Sequence, residues 1–200
     1  MGMFAALSLA AASAYSASKT ALVLGDSLSA EYGITRGTGW VPLLQKRLQE
    51  KSIDVHVVNA SISGDTTSGG KARFAALLEK HRPDLVLVEL GANDALRGLS
   101  LGATEENLRS IIKSARAINA RVVLLGMQIP PNYGADYAQK FSGMYPRLAK
   151  ETGSVLVPFF LEKIVATPAM FQSDRLHPTA DAQPILLDSV WPYLKPILRN

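Results

Sequence analysis

Short apolar segments recur along the chain, and stretches with helical periodicity separate them. The segments are 22–24, 55–58, 85–90, 122–125 and 155–157. Segment 85–90 is apolar almost without interruption, which is typical of a strand that a parallel sheet buries on both faces. Parallel strands need crossover connections, and right-handed crossovers place helices over the sheet. The alternation therefore predicts an α/β fold, with three α/β/α layers around five parallel strands.

Helical patterns predict where the remaining elements begin and end. Segment 40–48 repeats its apolar residues at positions that share one face of a helix. Further helices are predicted over 72–81, 104–118, 135–152 and the segment after 178. Gly69-Gly70 is expected in the turn before the second helix, and Thr104 is expected to cap the third.

Composition narrows the possible functions. With 200 residues, 48% of them hydrophobic and 19% charged, the chain is long enough for one domain with a full core. It has no cysteine, which excludes disulfides and cysteine-ligated zinc. The formal charge of +4 comes from scattered Lys and Arg residues, so no nucleic-acid partner is expected. No spacing of His, Asp or Glu is typical of a metal site.

Residues 1–17 differ from the rest of the chain. They carry no charge, and 4–14 has the length of the apolar part of a signal peptide, too short to span a bilayer. Ala12-Ser13-Ala14 offers a small-x-small cleavage site, although the usual preceding positive charge is missing. We therefore expect a signal peptide, or a disordered or helical remnant, over 1–17. A single domain is expected over 18–200, with no stable membrane anchor.

A serine follows the first predicted strand. Segment 22–24 ends at Gly25, and Asp26 and Ser27 come next. Because ligands of α/β sheets bind just beyond the carboxyl ends of strands, Ser27 lies where a nucleophile could meet a substrate. The alternative is a serine that only satisfies backbone groups in a turn. The Gly-x-Ser-x-Gly pattern of the nucleophile elbow is absent, which argues against an α/β-hydrolase.

A serine hydroxyl becomes a strong nucleophile only when a base takes its proton, and histidine is the usual base. His56 lies within a predicted strand and His81 ends a predicted helix, so both are assigned structural roles. His177 lies in a polar segment before Pro178, three residues after Asp174. A carboxylate on the second ring nitrogen would fix the tautomer of such a base. The alternative is a turn in which both residues have only local roles.

Acyl transfer also needs hydrogen-bond donors where negative charge develops on the carbonyl oxygen. The candidates are the backbone N–H groups of Ser27 and Gly64 and the side-chain amide of Asn93. All three residues follow predicted strands at the same edge of the sheet. Each alone is as typical of a turn, but their occurrence together with Asp174 and His177 predicts an ester-hydrolysing site.

Four sequence blocks resemble, in order, those of the GDSL or SGNH hydrolases. They are 25–29 (Gly-Asp-Ser-Leu-Ser), 62–66 (Ile-Ser-Gly-Asp-Thr), 91–94 (Gly-Ala-Asn-Asp) and 174–178 (Asp-Arg-Leu-His-Pro). Segments 58–66 and 128–134 are similar to the bacterial branch that includes thioesterase I, lysophospholipase and arylesterases. The missing positive charge near the N-terminus departs from that branch.

The resemblance implies a fold, a reaction and a set of site residues. The sheet would have the flavodoxin-like order 2-1-3-4-5. The enzyme would cleave fatty acyl esters and thioesters of small-molecule substrates without a cofactor or metal, in the periplasm or outside the cell. We also expect a monomer. The implied residues are the triad Ser27, His177 and Asp174, the oxyanion-hole donors Ser27, Gly64 and Asn93, and the loop-tying Asp26 and Asp94.

A groove for the acyl chain is expected beside the serine. Leu28 follows the nucleophile directly, and Pro130 and Tyr133 lie in the loop 128–137, which carries two prolines and a glycine. We predict that these three residues line the groove. The alternative for the loop is a plain connection between a strand and a helix.

Other functions stay open at this stage. A carbohydrate O-deacetylase shares the four blocks and would prefer acetyl groups on sugars. A flavodoxin-like module that binds a nucleotide or flavin is compatible with the fold. Against it, the first turn lacks Gly-x-Gly-x-x-Gly and has Asp26 where a phosphate would bind. The polar residues of the four blocks disfavour a non-catalytic interaction protein.

Overall fold

The computed structural model describes residues 18–198, and a sheet of five parallel strands lies at its centre. The strand order is β2-β1-β3-β4-β5, which confirms the predicted fold. The strands are β1 (Lys19–Gly25), β2 (Val55–Asn59), β3 (Leu85–Glu89), β4 (Arg121–Leu125) and β5 (Val155–Val157). The predicted signal peptide over 1–17 lies outside the described residues.

Strands β1 and β3 are neighbours, and they end side by side. All five residues of β3 are buried, as the nearly continuous apolar run predicts. Leu24 pairs with Val88, and Gly25 pairs with Glu89. Because the two strands are parallel, the turns that follow them meet at one edge of the sheet. This register places 26–29 next to 91–94.

Helices cover both faces of the sheet. They are α1 (Trp40–Glu50), α2 (Thr67–His81), α3 (Ala92–Leu96), α4 (Leu101–Ala117), α5 (Ala135–Thr152) and α6 (Gln183–Leu198). Helix α1 packs against α6 in one layer, and α4 packs against α2 and α5 in the other. Within residues 18–198, no helix has both the length and the apolar character needed to cross a bilayer.

Helix α2 begins earlier than the sequence predicts. Thr66 caps it, because its Oγ1 accepts a hydrogen bond from the N–H of Gly69 at 3.2 Å. The prediction that Gly69-Gly70 forms a preceding turn is therefore wrong, since both residues lie inside the helix. Close packing explains why residue 70 is a glycine. A Cβ at Gly70 would lie 2.5 Å from Cδ1 of Leu90.

Helix α4 also begins before its predicted start. Ser100 caps it, with Oγ accepting a hydrogen bond from the N–H of Ala103 at 3.3 Å, so the prediction that Thr104 is the cap is wrong. Thr104 is buried in the first turn, where its hydroxyl lies 3.2 Å from Oδ1 of Asp94. The short helix α3, which the sequence pattern did not predict, carries Asp94 and Asn93.

Candidate active site

Three polar side chains lie in a row at the carboxyl edge of the sheet. Nε2 of His177 is 3.0 Å from Oγ of Ser27, and Nδ1 of His177 is 2.7 Å from Oδ2 of Asp174. Ser27 follows β1, whereas Asp174 and His177 lie on the loop between β5 and α6. This geometry lets the imidazole take a proton from the serine at one nitrogen while the carboxylate accepts a hydrogen bond from the other.

Asp174 organises a tight turn around His177. Its Oδ1 accepts hydrogen bonds from the backbone N–H groups of Leu176 at 2.9 Å and His177 at 3.0 Å. These bonds, that of the His177 N–H first, lower the pKa of the Asp174 carboxyl to about 2. Asp174 is therefore anionic at neutral pH, which is the state that stabilises an imidazolium beside it.

The loop that carries His177 is joined to the loop that follows Ser27. Nε2 of Gln172 donates hydrogen bonds to the backbone oxygens of Tyr32 at 2.9 Å and Pro178 at 3.1 Å. The backbone N–H of Gln172 donates to the carbonyl of His177 at 2.8 Å. The ring of Tyr32 lies against the imidazole, with the two centroids 4.3 Å apart. Gln172 and Tyr32 thus restrict the position of His177 relative to Ser27.

The three predicted oxyanion donors belong to Ser27, Gly64 and Asn93. Ser27 and Asn93 line the cavity beside the nucleophile, and Gly64 is not among the lining residues. The backbone N–H groups of Ser27 and Gly64 make no hydrogen bond with another residue in the range 18–198. Gly64 adopts a φ of 78°, and its carbonyl accepts a hydrogen bond from Arg97 at 2.8 Å. Nδ2 of Asn93 donates one hydrogen to Oδ2 of Asp26 at 2.9 Å. An amide has two hydrogens, so the second remains for a ligand.

Two carboxyl groups are buried where β1 and β3 end. Asp26 is 1% exposed and accepts hydrogen bonds from Asn93 and from the N–H of Leu28 at 3.1 Å. Oε2 of Glu89 accepts from the hydroxyl of Ser29 at 2.8 Å and from the N–H of Asp26 at 3.2 Å. Oε1 of Glu89 has no partner among the described residues.

Burial acts on both carboxyl groups, but unequally. It raises the pKa of Asp26 to about 6, since the hydrogen bonds to its anion offset only part of the desolvation. Burial and the nearby Asp26 charge raise the pKa of Glu89 well above its usual value. Burial therefore favours the protonated form of both carboxyl groups, and the charge of Asp26 adds to this effect at Glu89.

Asp94 ties three helices together at the same edge. Its Oδ2 accepts a hydrogen bond from the N–H of Thr67 at 2.9 Å, and its Oδ1 accepts one from the hydroxyl of Thr67 at 2.6 Å. The hydroxyl of Thr104 adds a further bond. Asp94 thereby links the starts of α2 and α4 to α3, which carries Asn93.

An apolar cavity of about 520 Å³ opens beside Ser27. Leu28 and Pro130 line it, as the sequence predicts, together with residues that the sequence did not single out, among them Met127, Ile129, Phe159 and Leu161. Tyr133 is outside the lining. It ends a short 3₁₀ turn that leaves its side chain 43% exposed.

Sequence reasoning missed several residues of this site. Glu89 could have been identified from the sequence, since it is an acidic residue in an otherwise apolar strand. Gln172 and Tyr32 could not, because their roles depend on how two distant loops meet. Within residues 18–198, no group of three or more His, Asp or Glu side chains is arranged to hold a metal ion.

The family assignment rests on almost the whole described chain. The model of the GDSL-like lipase/acylhydrolase family matches residues 23–184, which include every site residue named above. The chain belongs to this family. As a GDSL-like acylhydrolase it is an enzyme, so the flavodoxin-like binding module considered from the sequence is wrong.

Individual relatives of this GDSL-like acylhydrolase match it over most of their length. Esterase TesA of Pseudomonas aeruginosa is 52% identical over 182 residues, 91% of this chain and 90% of that protein. Thioesterase 1/protease 1/lysophospholipase L1 of Escherichia coli K12 is 46% identical over 184 residues, 92% of this chain and 87% of that protein. The structure of the psychrotrophic esterase EstA from Pseudoalteromonas, described as inhibited by monoethylphosphonate, is 41% identical. It has a TM-score of 0.87 and covers 91% of this chain and 100% of that chain.

Proposed function

We propose that this GDSL-like acylhydrolase cleaves fatty acyl esters and thioesters through a covalent acyl-enzyme on Ser27. The observation that carries the proposal is the row of Ser27, His177 and Asp174, with distances of 3.0 Å and 2.7 Å between neighbouring groups. Both are hydrogen-bond distances, so a proton can pass from the hydroxyl to the imidazole without a rearrangement. The names of the two curated relatives, an esterase and a thioesterase, support the same reaction class.

The first half of the reaction forms the acyl-enzyme. Nε2 of His177 takes the hydroxyl proton as Oγ of Ser27 bonds to the carbonyl carbon. The electron pair of the C=O double bond moves to oxygen, where the donors of Ser27, Gly64 and Asn93 stabilise the negative charge. Collapse of this intermediate breaks the bond to the leaving oxygen or sulfur, which receives the proton from His177.

The second half returns the enzyme to its starting state. His177 takes a proton from water as the water oxygen attacks the acyl carbon, and the same donors stabilise the second intermediate. Its collapse breaks the bond to Oγ of Ser27, which recovers its proton from the imidazolium. The products are a carboxylic acid and the alcohol or thiol of the substrate.

The cavity supports acyl chains longer than acetyl. Its apolar lining would bury the hydrocarbon chain, and each buried CH₂ contributes about 0.8 kcal/mol to binding. A sugar O-deacetylase, the second function considered from the sequence, would leave most of this apolar surface unused. We expect kcat/KM for p-nitrophenyl esters to rise with chain length beyond acetyl. A preference restricted to acetyl would favour the deacetylase instead.

Labelling of the nucleophile tests the proposal directly. A fluorophosphonate should inactivate the enzyme and add one adduct to the peptide that carries Ser27. Ser27→Ala should lose both turnover and labelling, while Ser142→Ala, at a partly exposed site on α5, should keep both. Labelling of a different serine, or full turnover by Ser27→Ala, would show that the assignment of the nucleophile is wrong.

We also propose that the protein is exported and that it is a monomer. The apolar segment 4–14 and the motif Ala12-Ser13-Ala14 support cleavage of an N-terminal signal and action in the periplasm or outside the cell. Mass spectrometry of the exported protein would give the mature N-terminus, and an intact residue 1 in exported material would contradict cleavage. Light scattering of the purified enzyme would test the monomer.

A further inference from the structure

Arg175 occupies an unusual backbone position beside the candidate general base. Its φ is 58°, in the left-handed region that side chains other than glycine, asparagine and aspartate rarely adopt. The turn holds it there, since its N–H donates to the carbonyl of Gln172 at 2.9 Å and Asp174 bonds the next two N–H groups. A glycine would fit this position without strain. The presence of an arginine at this strained backbone position therefore calls for an explanation based on its side chain.

The charge of Arg175 has no partner among the residues that the structure describes. Its side chain is exposed and lines the cavity. Within residues 18–198, its guanidinium makes no hydrogen bond or ion pair. The neighbouring Asp174 already bonds His177 and two backbone N–H groups. Among the described residues that line the cavity, Arg175 alone has a permanent positive charge.

The reaction fixes which part of the substrate meets Arg175. His177 must deliver its proton to the leaving oxygen or sulfur, so the leaving group lies on the His177 side of the scissile bond. Arg175 is on the same turn, two residues before His177. The acyl chain has its own apolar surface, formed by residues such as Ile129 and Phe159. Because Arg175 shares the turn of His177 and also lines the cavity, we expect its guanidinium on the leaving-group side of the scissile bond.

We propose that Arg175 forms a subsite for a phosphate group carried by the leaving group of the substrate. The inference rests on the proposed acyl transfer, and it adds a specificity residue to it. A guanidinium presents paired N–H donors that match two phosphate oxygens. Two sources of that phosphate fit the chemistry, namely the phosphodiester or phosphomonoester of a lysophospholipid and the phosphates of an acyl coenzyme A.

Matched substrates with and without phosphate test the subsite. For the thioester source, hexanoyl 4′-phosphopantetheine, which carries the first phosphate of coenzyme A, is compared with hexanoyl pantetheine. For the ester source, 1-hexanoylglycerol 3-phosphate is compared with 1-hexanoylglycerol. In each pair the acyl group and scissile bond are the same, so the ratio of kcat/KM values reports on the phosphate. Arg175→Gly should lower this ratio about three- to tenfold in at least one pair, and Arg175→Lys should lower it less.

A second arginine offers a matched control. Arg82 also has a positive φ, of 40°, and is exposed, but it ends α2 and precedes β3, at the sheet edge away from the cavity. Arg82→Gly removes the same charge and the same backbone strain, so it should leave both ratios unchanged. An equal fall in the ratio for both variants would mean that net charge, not a subsite, attracts the phosphate.

The outcomes separate the subsite from the proposed function. If the wild-type enzyme hydrolyses both members of a pair and Arg175→Gly leaves both ratios unchanged, the subsite is wrong and the acyl transfer stands. If the wild-type enzyme hydrolyses neither the four compounds nor any p-nitrophenyl ester, the proposed function itself fails. If Arg175→Gly lowers the kcat/KM ratio for only one pair, that pair identifies whether a lysophospholipid or an acyl coenzyme A supplies the phosphate.

Discussion

Nδ2 of Asn93 donates a hydrogen bond to Oδ2 of Asp26 over 2.9 Å, which ties the turn after β3 to the turn after β1. The bond fixes the Asn93 amide in the cavity that Ser27 also lines, and it leaves the second amide hydrogen free. We predict that Asn93→Ala lowers kcat by about 10²- to 10³-fold, the usual cost of losing one oxyanion donor. KM should change little, because the lost bond forms in the transition state. Steady-state kinetics on a p-nitrophenyl ester would check this, and an unchanged kcat would remove Asn93 from the oxyanion hole.

The partner of that amide leads to a second prediction. Asp26→Asn keeps the shape of the side chain but replaces the anion that accepts from Asn93 and from the N–H of Leu28. A hydrogen bond to a charged group contributes about 1.5–3 kcal/mol. We therefore expect kcat to fall by roughly 10- to 100-fold, with normal folding by circular dichroism. Activity equal to wild type would show that the charge of Asp26 does not orient Asn93.

The pH dependence of kcat should contain the titration of Asp26. Burial raises its pKa to about 6, so Asp26 gains a proton as the pH falls through that value and loses its strength as an acceptor. The wild-type plot of log kcat against pH should thus show an added fall, of up to about 10- to 100-fold, as the pH drops through about 6. Asp26→Asn should lack this added fall, and identical profiles for the two enzymes would contradict the titration of Asp26.

Glu89 should behave oppositely to Asp26 on replacement by an amide. A protonated carboxyl group and an amide have similar shapes and hydrogen-bonding atoms, so we expect Glu89→Gln to keep kcat within about threefold of wild type. Glu89→Leu, which removes the acceptor of the Ser29 hydroxyl and the Asp26 N–H, should lower both activity and stability. A large loss of activity in Glu89→Gln would mean that Glu89 is ionised.

Stability against pH gives an independent check on Glu89. Its pKa is raised on folding above the ordinary value of 4.5. The folded state therefore holds a proton that the unfolded chain releases, and the associated stability is lost as the pH rises above 4.5. Glu89→Gln has no such proton to release. The free energy of unfolding of wild type, measured in urea, should fall relative to that of the variant as the pH rises above 4.5.

The sequence predicts the sheet well because burial and periodicity are local properties. The apolar run of β3 and the shared edge of parallel strands together predict that Ser27, Gly64 and Asn93 approach one another. Features that depend on three-dimensional packing cannot be predicted from such local patterns. Gly69-Gly70 indicates a turn by composition, yet both residues lie in α2. Close packing against Leu90 leaves no room for a side chain at Gly70.

The contact between Gly33 and Gln172 yields the last prediction, because a matched glycine lies nearby. Gly33 and Gly37 have φ values of 70° and 88°, so alanine at either site costs about 1 kcal/mol in backbone strain. A Cβ at Gly37 meets no atom within 4 Å, whereas one at Gly33 collides with Oε1 of Gln172. Gly37→Ala should lose only the strain energy and keep its kcat. Gly33→Ala should lose more stability and at least about tenfold in kcat, because Gln172 then releases the loop of His177.

A double-mutant cycle identifies the cause of that loss. In a Gln172→Ala background the colliding atom is absent, so Gly33→Ala should cost no more stability than Gly37→Ala does. Gln172→Ala by itself should lower kcat with little change in KM, since the apolar cavity that binds the acyl chain stays intact. If Gly33→Ala costs the same in both backgrounds, its effect comes from the backbone alone. The collision with Gln172 would then not be the cause of the loss in Gly33→Ala, and an unchanged kcat in Gln172→Ala would show that Gln172 does not position His177.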